Sequence, residues 1–385
     1  MLLLYYALIS ITDSCVITML RLAAEWLCYN FTKGSIGFSK TADGDMKKAL
    51  ITGITGQDGS FLAELLIKKG YRVFGLARKD SWYRQNNASH LSGQIDILFG
   101  NMSEGVDIAS AVQDAKPDEI YNLASQSRPG ESWARSTETL EVNGLGAVRL
   151  FEAVRHHCPD SRVYHASSSE MFGQANCVPQ NEQTPFNPVN PYAAAKVYAH
   201  QMAKIYRDSY GLYIATGILF NHESERRPLH FLTQKIAYGA ACAALGILDS
   251  PDLNEMGRPI VQHGKLALGN LEIARDWGYA GDFVQTMWTM LQQEQPDNFV
   301  IGTGKLHTLR NLCETAYHCV DKDWQENVVS DPALVRPLES GQTLADPSKA
   351  REQLGWEPTV SFDEMVKKMV TAQMLRLKKK GINLN

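Results

Sequence analysis

Cysteine is scarce in this sequence and is not arranged for metal binding. The 385 residues contain seven cysteines, of which only Cys313 and Cys319 are close together. No CxxC pair and no cluster of histidine and cysteine at zinc-binding spacing occurs. This pattern is typical of reduced thiols in a cytoplasmic protein, and it predicts neither a structural zinc nor another metal site.

A basic excess is also lacking. The formal net charge is −4, so the sequence does not carry the positive charge that neutralises nucleic-acid phosphates. Internal repeats and low-complexity linkers are absent. Hydrophobic residues make up 44% and charged residues 21% of the chain, which is ordinary for a globular enzyme. A chain of 385 residues is long enough for two lobes.

A long uninterrupted apolar run is missing, although the first 45 residues are mostly apolar. Asp13, Arg21 and Glu25 interrupt them, so no run approaches the ~20 residues of a membrane-spanning helix. The early basic cluster of a secretory signal is absent too. Met46 is followed by "KKALITGITGQDG", which looks like a natural protein start. We interpret residues 1–45 as an appended segment or a misplaced start codon, with a peripheral anchor as the alternative, and expect no stable membrane insertion.

Strands alternate with helices from Lys48 onward. "KALIT" is a short apolar strand, "GITGQDGSFLAELLIKKG" a glycine-rich turn and amphipathic helix, and "YRVFGLA" a second strand. This alternation predicts an α/β fold with a doubly wound parallel sheet of the Rossmann type. We expect an NADP-binding domain over residues 46–224 and a smaller C-terminal α/β substrate lobe over 225–385. Segments near 275–304 are expected to return to the first domain.

The turn after the first strand carries a GxxGxxG pattern at Gly53, Gly56 and Gly59. Between a strand and a helix, such a turn lets the backbone approach a pyrophosphate whose charge rests on the helix N-terminus. The end of the second strand discriminates between cofactors. Arg78 and Lys79 stand where an NAD enzyme usually has an acidic residue, and two cations suit the 2′-phosphate of NADP. A solvated basic pair, with Asp80 on the ribose, is the alternative.

Two further stretches carry candidate catalytic groups. In "NPYAAAKVYA", Asn190 is expected to cap a helix that presents Tyr192 and Lys196 on one face, the YxxxK pair of hydride-transfer enzymes. A tyrosine titrates near ~10, so it serves as a base near neutral pH only if nearby cations stabilise its anion. In "HASSSEMFG", Ser168 can hold a substrate hydroxyl. The carboxylate of Glu170 is unexpected at such a strand end.

From Met46 onward the sequence resembles the GDP-mannose 4,6-dehydratase family of the extended short-chain dehydrogenases. The resemblance is carried, in the family's order, by "ALITGITGQDGSFLAE", "NLASQS", "SSSEMFG", "PYAAAK", "GILFNHESERR", "LGNLEIARDWGYAGDFV", "FVIGTG", "RPLE" and "DPSKAREQLGW". The motifs "NHESERR" and "GNLEIARDWG" are specific, whereas the glycine turn and the YxxxK pair are shared by the wider superfamily.

The resemblance implies a hydro-lyase that uses NADP and makes a 4-keto-6-deoxy sugar for deoxyhexose synthesis. By this interpretation Tyr192 takes the proton of the C4 hydroxyl. The ketone at C4 acidifies the C5 proton, which Glu170 removes, and water leaves from C6. The cofactor is regenerated in each cycle. In sugar epimerases of the superfamily, the position of Glu170 generally lacks a carboxylate.

The resemblance also implies binding roles. The expected cofactor-binding residues are Gly53, Ile54, Thr55, Gly56, Gln57, Asp58, Gly59, Arg78, Asn101, Met102, Leu123, Ala124, Ser125, Gln126, Ser127, Lys196, His222 and Arg227. The residues expected around the nucleotide-sugar are Asn221, Lys235, Arg275, Arg310, Arg336 and Glu339. Arginine forks suit a diphosphate and a carboxylate suits guanine N–H groups, although each could instead form a surface ion pair. A homodimer or homotetramer is expected.

Several departures from the family pattern leave alternatives open. Ser168 stands where the family commonly has a threonine, and Glu138 stands where it has an aromatic cofactor contact. The stretches "SRPGESW" and "DSWYRQNNASHL" differ from the family pattern. The stretch "DSPDLNEMGRPIVQHGK" looks like an insertion. The alternatives are a 4,6-dehydratase of another GDP-sugar such as a GDP-heptose, a nucleotide-sugar epimerase or reductase, and a non-enzymatic NADP sensor or scaffold. The complete Ser168, Glu170, Tyr192 and Lys196 set disfavours the last.

Deletion of residues 1–45 should leave an active enzyme, because the cofactor turn and all candidate site residues follow Met46. Turnover and NADP binding of the shortened chain, measured beside the full chain, check this expectation. Loss of activity or misfolding on deletion would show instead that the segment belongs to the working protein.

Overall fold

A sheet of parallel strands forms the centre of the protein in this computed structural model, which describes residues 46–84, 86–254, 256–334 and 341–380. Within these ranges seven strands build the sheet: β1 Lys48–Thr52, β2 Arg72–Ala77, β3 Asp96–Phe99, β4 Glu119–Asn122, β5 Arg162–Ser168, β6 Ile214–Leu219 and β11 Asn298–Ile301. Their order is β11-β6-β5-β4-β1-β2-β3, and every neighbouring pair is parallel. The predicted doubly wound sheet is confirmed.

Helices lie between the strands as the alternation of the sequence predicts. Their bounds are α1 Gln57–Lys68, α2 Lys79–Arg84, α3 Gly105–Ala115, α4 Ser136–Leu140, α5 Gly146–His157, α6 Pro191–Tyr210, α7 Leu232–Ala244, α8 Ala280–Met290, α9 Leu309–His318, α10 Trp324–Asn327, α11 Ser348–Leu354 and α12 Phe362–Lys379. A π-helical turn, Glu141–Leu145, joins α4 to α5. Short 3₁₀ turns occur at Ser89–Leu91, Glu131–Trp133, Ser169–Phe172 and Pro332–Leu334.

The central strand β1 explains why helices cover both faces of the sheet. Its residues Ala49, Leu50 and Ile51 are all fully buried. Successive side chains of a strand point to opposite faces. Ala49 and Ile51 accordingly pack in the core with α1 and α8, and Leu50 packs with α3 and α5. Each such side chain contributes about 1.5–3 kcal/mol through burial.

The C-terminal part adds two small sheets to this frame. One contains β7 Asn221–Glu223, β10 Ala274–Tyr279 and β12 Leu306–Thr308, and the other contains β8 Val261–Gln262, β9 Lys265–Leu268 and β13 Val328–Ser330. The strand β11, which lies between β10 and β12 in the sequence, does not join either small sheet and pairs with β6 of the large sheet. Contacts group Lys47–Asn385 in one unit, so the division at residue 224 stays a prediction. The predicted extension, residues 1–45, lies outside the described residues.

No helix in the described part of the chain is long and apolar enough to cross a membrane.

The segment that resembles an insertion, residues 249–265, is anchored on the last helix by Asp252. Its carboxylate accepts hydrogen bonds from Arg376 Nη2 at 3.0 Å, from Lys380 Nζ at 2.8 and 2.9 Å, and from the Tyr238 hydroxyl at 2.9 Å. Burial raises the pKa of Asp252, but hydrogen bonds from Lys380 and Tyr238 and the charge of Arg376 outweigh it. The pKa of this carboxyl is therefore below its usual value.

Replacement of Asp252 by asparagine should lower the free energy of unfolding at neutral pH by about 1–3 kcal/mol, the cost of losing charged hydrogen bonds. A carboxyl whose pKa is lowered by folding stabilises the protein above its unfolded pKa of about 3.9. That contribution is lost as the pH falls through the folded value. Denaturant unfolding at several pH values should therefore show the parent and Asp252→Asn converging below about pH 4.

Asp249→Asn is the matched control in the same segment, because the side chain of Asp249 is 57% exposed. It should change stability much less. Equal stability of the Asp252 variant and the parent at neutral pH would contradict an anchoring role.

Candidate active site

The turn between β1 and α1 depends on the missing side chains of its glycines. Gly53 has φ +73°, and a Cβ there would lie 2.8 Å from Ala124 N, beyond the end of β4. A Cβ on Gly59 would lie 2.4 Å from Gly53 O. Both contacts are with backbone, which cannot move aside as a flexible side chain can. The helix α1 then begins without a side-chain N-cap, so its first N–H groups suit an anion such as a diphosphate.

A cleft of about 320 Å³ opens at the carboxyl ends of the strands. It is lined by fifteen of the predicted cofactor residues, namely Gly53, Thr55, Gly56, Gln57, Asp58, Gly59, Arg78, Asn101, Met102, Leu123, Ala124, Ser125, Gln126, Ser127 and Arg227. The side chain of Ile54 is fully buried in the core instead, and neither Lys196 nor His222 is among the lining residues. A cleft in this position is the expected dinucleotide site of a doubly wound sheet.

Glu138, which stands where the family has an aromatic cofactor contact, lines the cleft, and six further lining residues escaped the sequence analysis: Leu76, Ala77, Ser81, Gly100, Arg135 and Val142. The first two end β2, and Gly100 follows β3, so the rule that ligands bind at carboxyl strand ends could have found them. Ser81, Arg135 and Val142 belong to no motif, and only the fold brings them to the cleft.

The basic end of β2 fits a 2′-phosphate. Arg78 lines the cleft, whereas Lys79 points its ammonium at the Phe99 ring, 5.9 Å from the centroid. Asp80 is exposed and is not a lining residue. A cation in the lining directly after β2, where an NAD enzyme usually has an acidic residue, matches NADP better than NAD. The glycine turn, the helix N-terminus and Arg78 together fit the dinucleotide.

The candidate catalytic groups meet where β5 ends and α6 begins. Ser168 is the last residue of β5, and its Oγ accepts a hydrogen bond from the backbone N–H of Glu170 at 3.2 Å. The hydroxyls of Ser168 and Ser125 lie near enough to the Tyr192 phenol to lower its pKa. Lys196 Nζ donates to the carbonyl of Ala166 at 2.8 Å and lies 5.9 Å from the centroid of the Tyr192 ring. The structure thus brings all four candidates into one site.

Burial dominates the titration of this site. It raises the pKa of Tyr192 to about 12, with a further contribution from the Glu170 carboxylate, although the hydrogen bond from Ser168 and the charge of Arg227 oppose it. Burial also lowers the pKa of Lys196 to about 8. Both shifts disfavour the charged forms. The sequence analysis expected cations to stabilise the tyrosinate, and such stabilisation has to exceed this cost of burial.

His222 is not among the residues that line the cleft, but it pairs with Asp58, which is. Its Nε2 lies 2.8 Å from Asp58 Oδ2, and its ring stacks on Phe283 with centroids 4.6 Å apart. The Gln57 amide donates to the carbonyl of His222 at 3.1 Å and its Oε1 accepts from Ser224 Oγ at 2.7 Å. Burial alone would lower the pKa of His222, but the Asp58 carboxylate raises it above its usual value. This pairing holds β7 against the start of α1.

A residue that the sequence analysis missed, Asn143, holds the loop after β4. Its Oδ1 accepts from Gln126 N at 2.8 Å and from Ser125 Oγ at 3.1 Å, and its Nδ2 donates to Gln126 O at 3.0 Å. Asn143 lies in the π-helical turn Glu141–Leu145, an irregularity that frequently marks functional sites. No short motif in the sequence reveals such a turn.

The residues expected around the nucleotide-sugar are dispersed over the C-terminal part. Asn221 opens β7 and pairs with Trp277 of the neighbouring strand β10, which also carries Arg275. Arg275 Nη1 donates to the carbonyls of Ala274 at 2.8 Å and Gly341 at 3.2 Å. Lys235 lies on α7.

The structure says less about the other three substrate candidates, Arg310, Arg336 and Glu339. Arg310 forms an exposed ion pair with Glu272 and lies over the Trp324 ring, which matches the surface alternative. Arg336 and Glu339 lie outside the described residues.

Comparison with known proteins identifies the family. The family model described as GDP-mannose 4,6 dehydratase matches residues 50–369. The chain belongs to this family. It is 40% identical over 360 residues to "GDP-mannose 4,6 dehydratase 1" of Arabidopsis thaliana, covering 89% of this chain and 95% of that protein. It is 38% identical over 366 residues to the human GDP-mannose 4,6 dehydratase, covering 87% and 94%.

Solved structures support the fold. A UDP-glucose 4-epimerase of Thermus thermophilus in complex with NAD superposes with a TM-score of 0.72 at 22% identity, covering 84% of this chain and 98% of that chain. The dTDP-glucose 4,6-dehydratase DesIV of Streptomyces venezuelae gives 0.71 at 22% identity, covering 86% and 98%. Family membership confirms the resemblance and the predictions of a hydro-lyase that uses NADP.

Replacement of Arg78 by alanine should shift cofactor preference toward NAD. Loss of a hydrogen-bonded charge on the 2′-phosphate corresponds to a fall of about 10- to 100-fold in NADP affinity, with little change for NAD. Titration of both cofactors by fluorescence measures the ratio. Arg84→Ala, an exposed arginine at the end of the helix α2 that follows Arg78, is the control and should leave the ratio unchanged. Equal weakening of both cofactors by Arg78→Ala would exclude 2′-phosphate recognition by this residue.

Proposed function

We propose that the protein converts GDP-D-mannose to GDP-4-dehydro-6-deoxy-D-mannose and water. Family membership supports the substrate and the reaction class. The observation that supports this reaction is the position of Glu170, directly after the pair Ser168–Ser169. Its carboxylate lies near enough to Tyr192 to raise the pKa of the phenol. An oxidation and reduction at C4 alone needs the tyrosine but not this carboxylate, whereas elimination across C5 and C6 needs a second base.

The first proton transfer belongs to Tyr192. Its phenolic oxygen accepts the proton of the C4 hydroxyl, while Ser168 Oγ, which lies near the phenol, holds that hydroxyl in line. When bound, NADP supplies the oxidation at C4 and the later reduction at C6. Lys196, anchored on the carbonyl of Ala166, provides positive charge beside the ring. Each unit by which cations lower the tyrosine pKa corresponds to about 1.4 kcal/mol.

The second proton transfer belongs to Glu170. The C4 ketone acidifies the neighbouring C5–H bond, and the Glu170 carboxylate removes that proton. The electron pair forms the C5–C6 double bond, and the C6 hydroxyl leaves as water with the proton that Glu170 has taken from C5. When C6 is reduced, C5 takes up a proton from solvent, and Tyr192 releases to solvent the proton that it took from the C4 hydroxyl. Because Glu170 is only partly buried at the mouth of the site, its carboxylate can reach a bound sugar.

The nucleotide-sugar binds, in this proposal, through the set Asn221, Lys235, Arg275, Arg310, Arg336 and Glu339. Asn221 and Arg275 are supported by their places on the paired strands β7 and β10. Arg310 has the weaker case, since its guanidinium pairs with Glu272.

The protein works as a homodimer through the outer faces of α4 and α6, with a homotetramer as the alternative. Large apolar side chains are exposed there: Leu140 at 44%, Tyr198 at 39%, Ile205 at 49% and Tyr210 at 53%. Tyr198 and Ile205 are seven residues apart and therefore share one side of α6. Exposed apolar residues grouped in this way are typical of protein interfaces.

We place the enzyme in the cytoplasm, consistent with its unpaired cysteines among the described residues.

Incubation with a panel of GDP-, CDP-, UDP- and dTDP-sugars tests the substrate. GDP-mannose should yield a product lighter by one water, with a C4 ketone and a C6 methyl group by mass spectrometry and NMR. Conversion of another GDP-sugar in preference to GDP-mannose would change the substrate, and simple epimerisation would overturn the reaction class.

Glu170→Gln is the sharpest test of the mechanism. The amide nearly preserves size and hydrogen bonding but cannot accept the C5 proton, so turnover should fall by about 10²- to 10⁴-fold. Oxidation at C4 precedes this step and should persist, visible as the absorbance of reduced nicotinamide. Incorporation of solvent deuterium at C5 should collapse. Glu104→Gln, an exposed carboxylate before α3, is the control. Conversion by Glu170→Gln at near the parent rate would reduce the glutamate to a turn residue.

A further inference from the structure

One amide side chain joins the candidate C5 base to the helix that carries the C4 base. Asn190 Nδ2 donates a hydrogen bond to Glu170 Oε2 at 3.1 Å, and Asn190 Oδ1 accepts one from Ala193 N at 2.8 Å. The second bond is the N-cap of α6, the helix of Tyr192 and Lys196. We propose that Asn190 is a positioning residue that aims the carboxylate of Glu170 at C5. This inference rests on the proposed function.

The orientation of the amide is not arbitrary. An amide has an oxygen that only accepts and a nitrogen that only donates. The backbone N–H of Ala193 needs an acceptor, so the oxygen must face the helix. The nitrogen is therefore turned toward Glu170, where it meets an acceptor. Capping the helix and donating to the carboxylate are two uses of one fixed group.

The backbone around this contact is held independently. Asn187 N donates to the carbonyl of Met171 at 3.1 Å, so the segment before Asn190 is bonded to the segment after Glu170. Gly173 permits this approach, because a Cβ there would lie 1.9 Å from the carbonyl oxygen of Asn187. Met171 and Phe172 are fully buried in their own core cluster. With both backbones fixed, the Asn190 amide constrains the carboxylate at the end of the Glu170 side chain.

Asparagine suits both tasks where other capping residues suit only one. Serine caps a helix well, but its side chain is too short to bridge to a second partner while capping. Aspartate also caps well and favours the positive end of the helix dipole, yet it cannot donate and it repels a carboxylate. A role limited to capping therefore predicts that both replacements are tolerated, whereas a positioning role predicts that both impair catalysis.

Asn190→Ser and Asn190→Asp form the test. Both should keep the thermal stability and NADP affinity of the parent, since the cap is preserved. The kcat for GDP-mannose should fall about 10- to 100-fold, the cost of misplacing a catalytic group by about an ångström, with KM nearly unchanged. Incorporation of solvent deuterium at C5 should slow in parallel, and more in the aspartate variant because of its like charge. Ser361→Ala removes the N-cap of α12 and controls for the loss of a cap alone.

A double-mutant cycle with Glu170→Gln separates positioning from a general effect on the fold. If Asn190 acts through the carboxylate, Asn190→Ser should add little further loss in the Glu170→Gln background. Parent-like kcat and C5 exchange in both Asn190 variants would overturn the inference, and so would a full additive loss in the cycle. If one variant does not fold, the other decides. Absence of 6-deoxy product with the parent enzyme would instead overturn the proposed function, and this inference with it.

Discussion

The close approach of two backbone segments is the constraint on which the site depends. The glycine turn after β1 lies against the chain that leaves β4, with no room for a side chain at Gly53 or Gly59. Thr52, the last residue of β1, accepts hydrogen bonds from the N–H groups of Leu123 at 3.1 Å and Ala124 at 3.0 Å. The two segments therefore form one floor for the cleft. The start of α1 is aimed into that cleft as a result.

The candidate catalytic groups combine burial with opposing charges. Tyr192 and Lys196 are almost completely buried, and burial pushes the pKa of each toward its neutral form. A bound dinucleotide and its positive ring therefore have an electrostatic task as well as a redox one. Glu170 stands nearer the solvent, since it is only partly buried. In the proposed mechanism, the site thus separates a deeply placed base, which needs cations, from a shallower base, which needs orientation.

Two acidic residues, the partly buried Asp58 and the fully buried Asp276, hold the C-terminal part against the large sheet. Asp58 pairs with His222 at the start of β7. Asp276 of β10 accepts hydrogen bonds from the N–H groups of Thr303 at 2.9 Å and Gly304 at 2.8 Å, just after β11. Because both carboxylates are paired or hydrogen-bonded, these interactions offset the free-energy cost of removing a charged group from water. They also fix the strands that bear Asn221 and Arg275 relative to the cleft.

The sequence by itself determined the sheet, the glycine turn, the cap of α6 and the family, because each depends on local pattern. A few neighbouring positions are enough to recognise each of these patterns: the period of apolar residues, a glycine where φ is positive, and an asparagine before a proline. Tertiary structure alone decided that Arg78 rather than Asp80 lines the cleft, that His222 pairs with Asp58, and that Arg310 pairs with Glu272. It also decided that Asn143 and Asn190 support the site. These contacts join segments that are far apart in the sequence. Which distant segments meet is decided by burial, charge pairing and the fit of the backbone in the folded chain, and no short stretch of sequence contains that information.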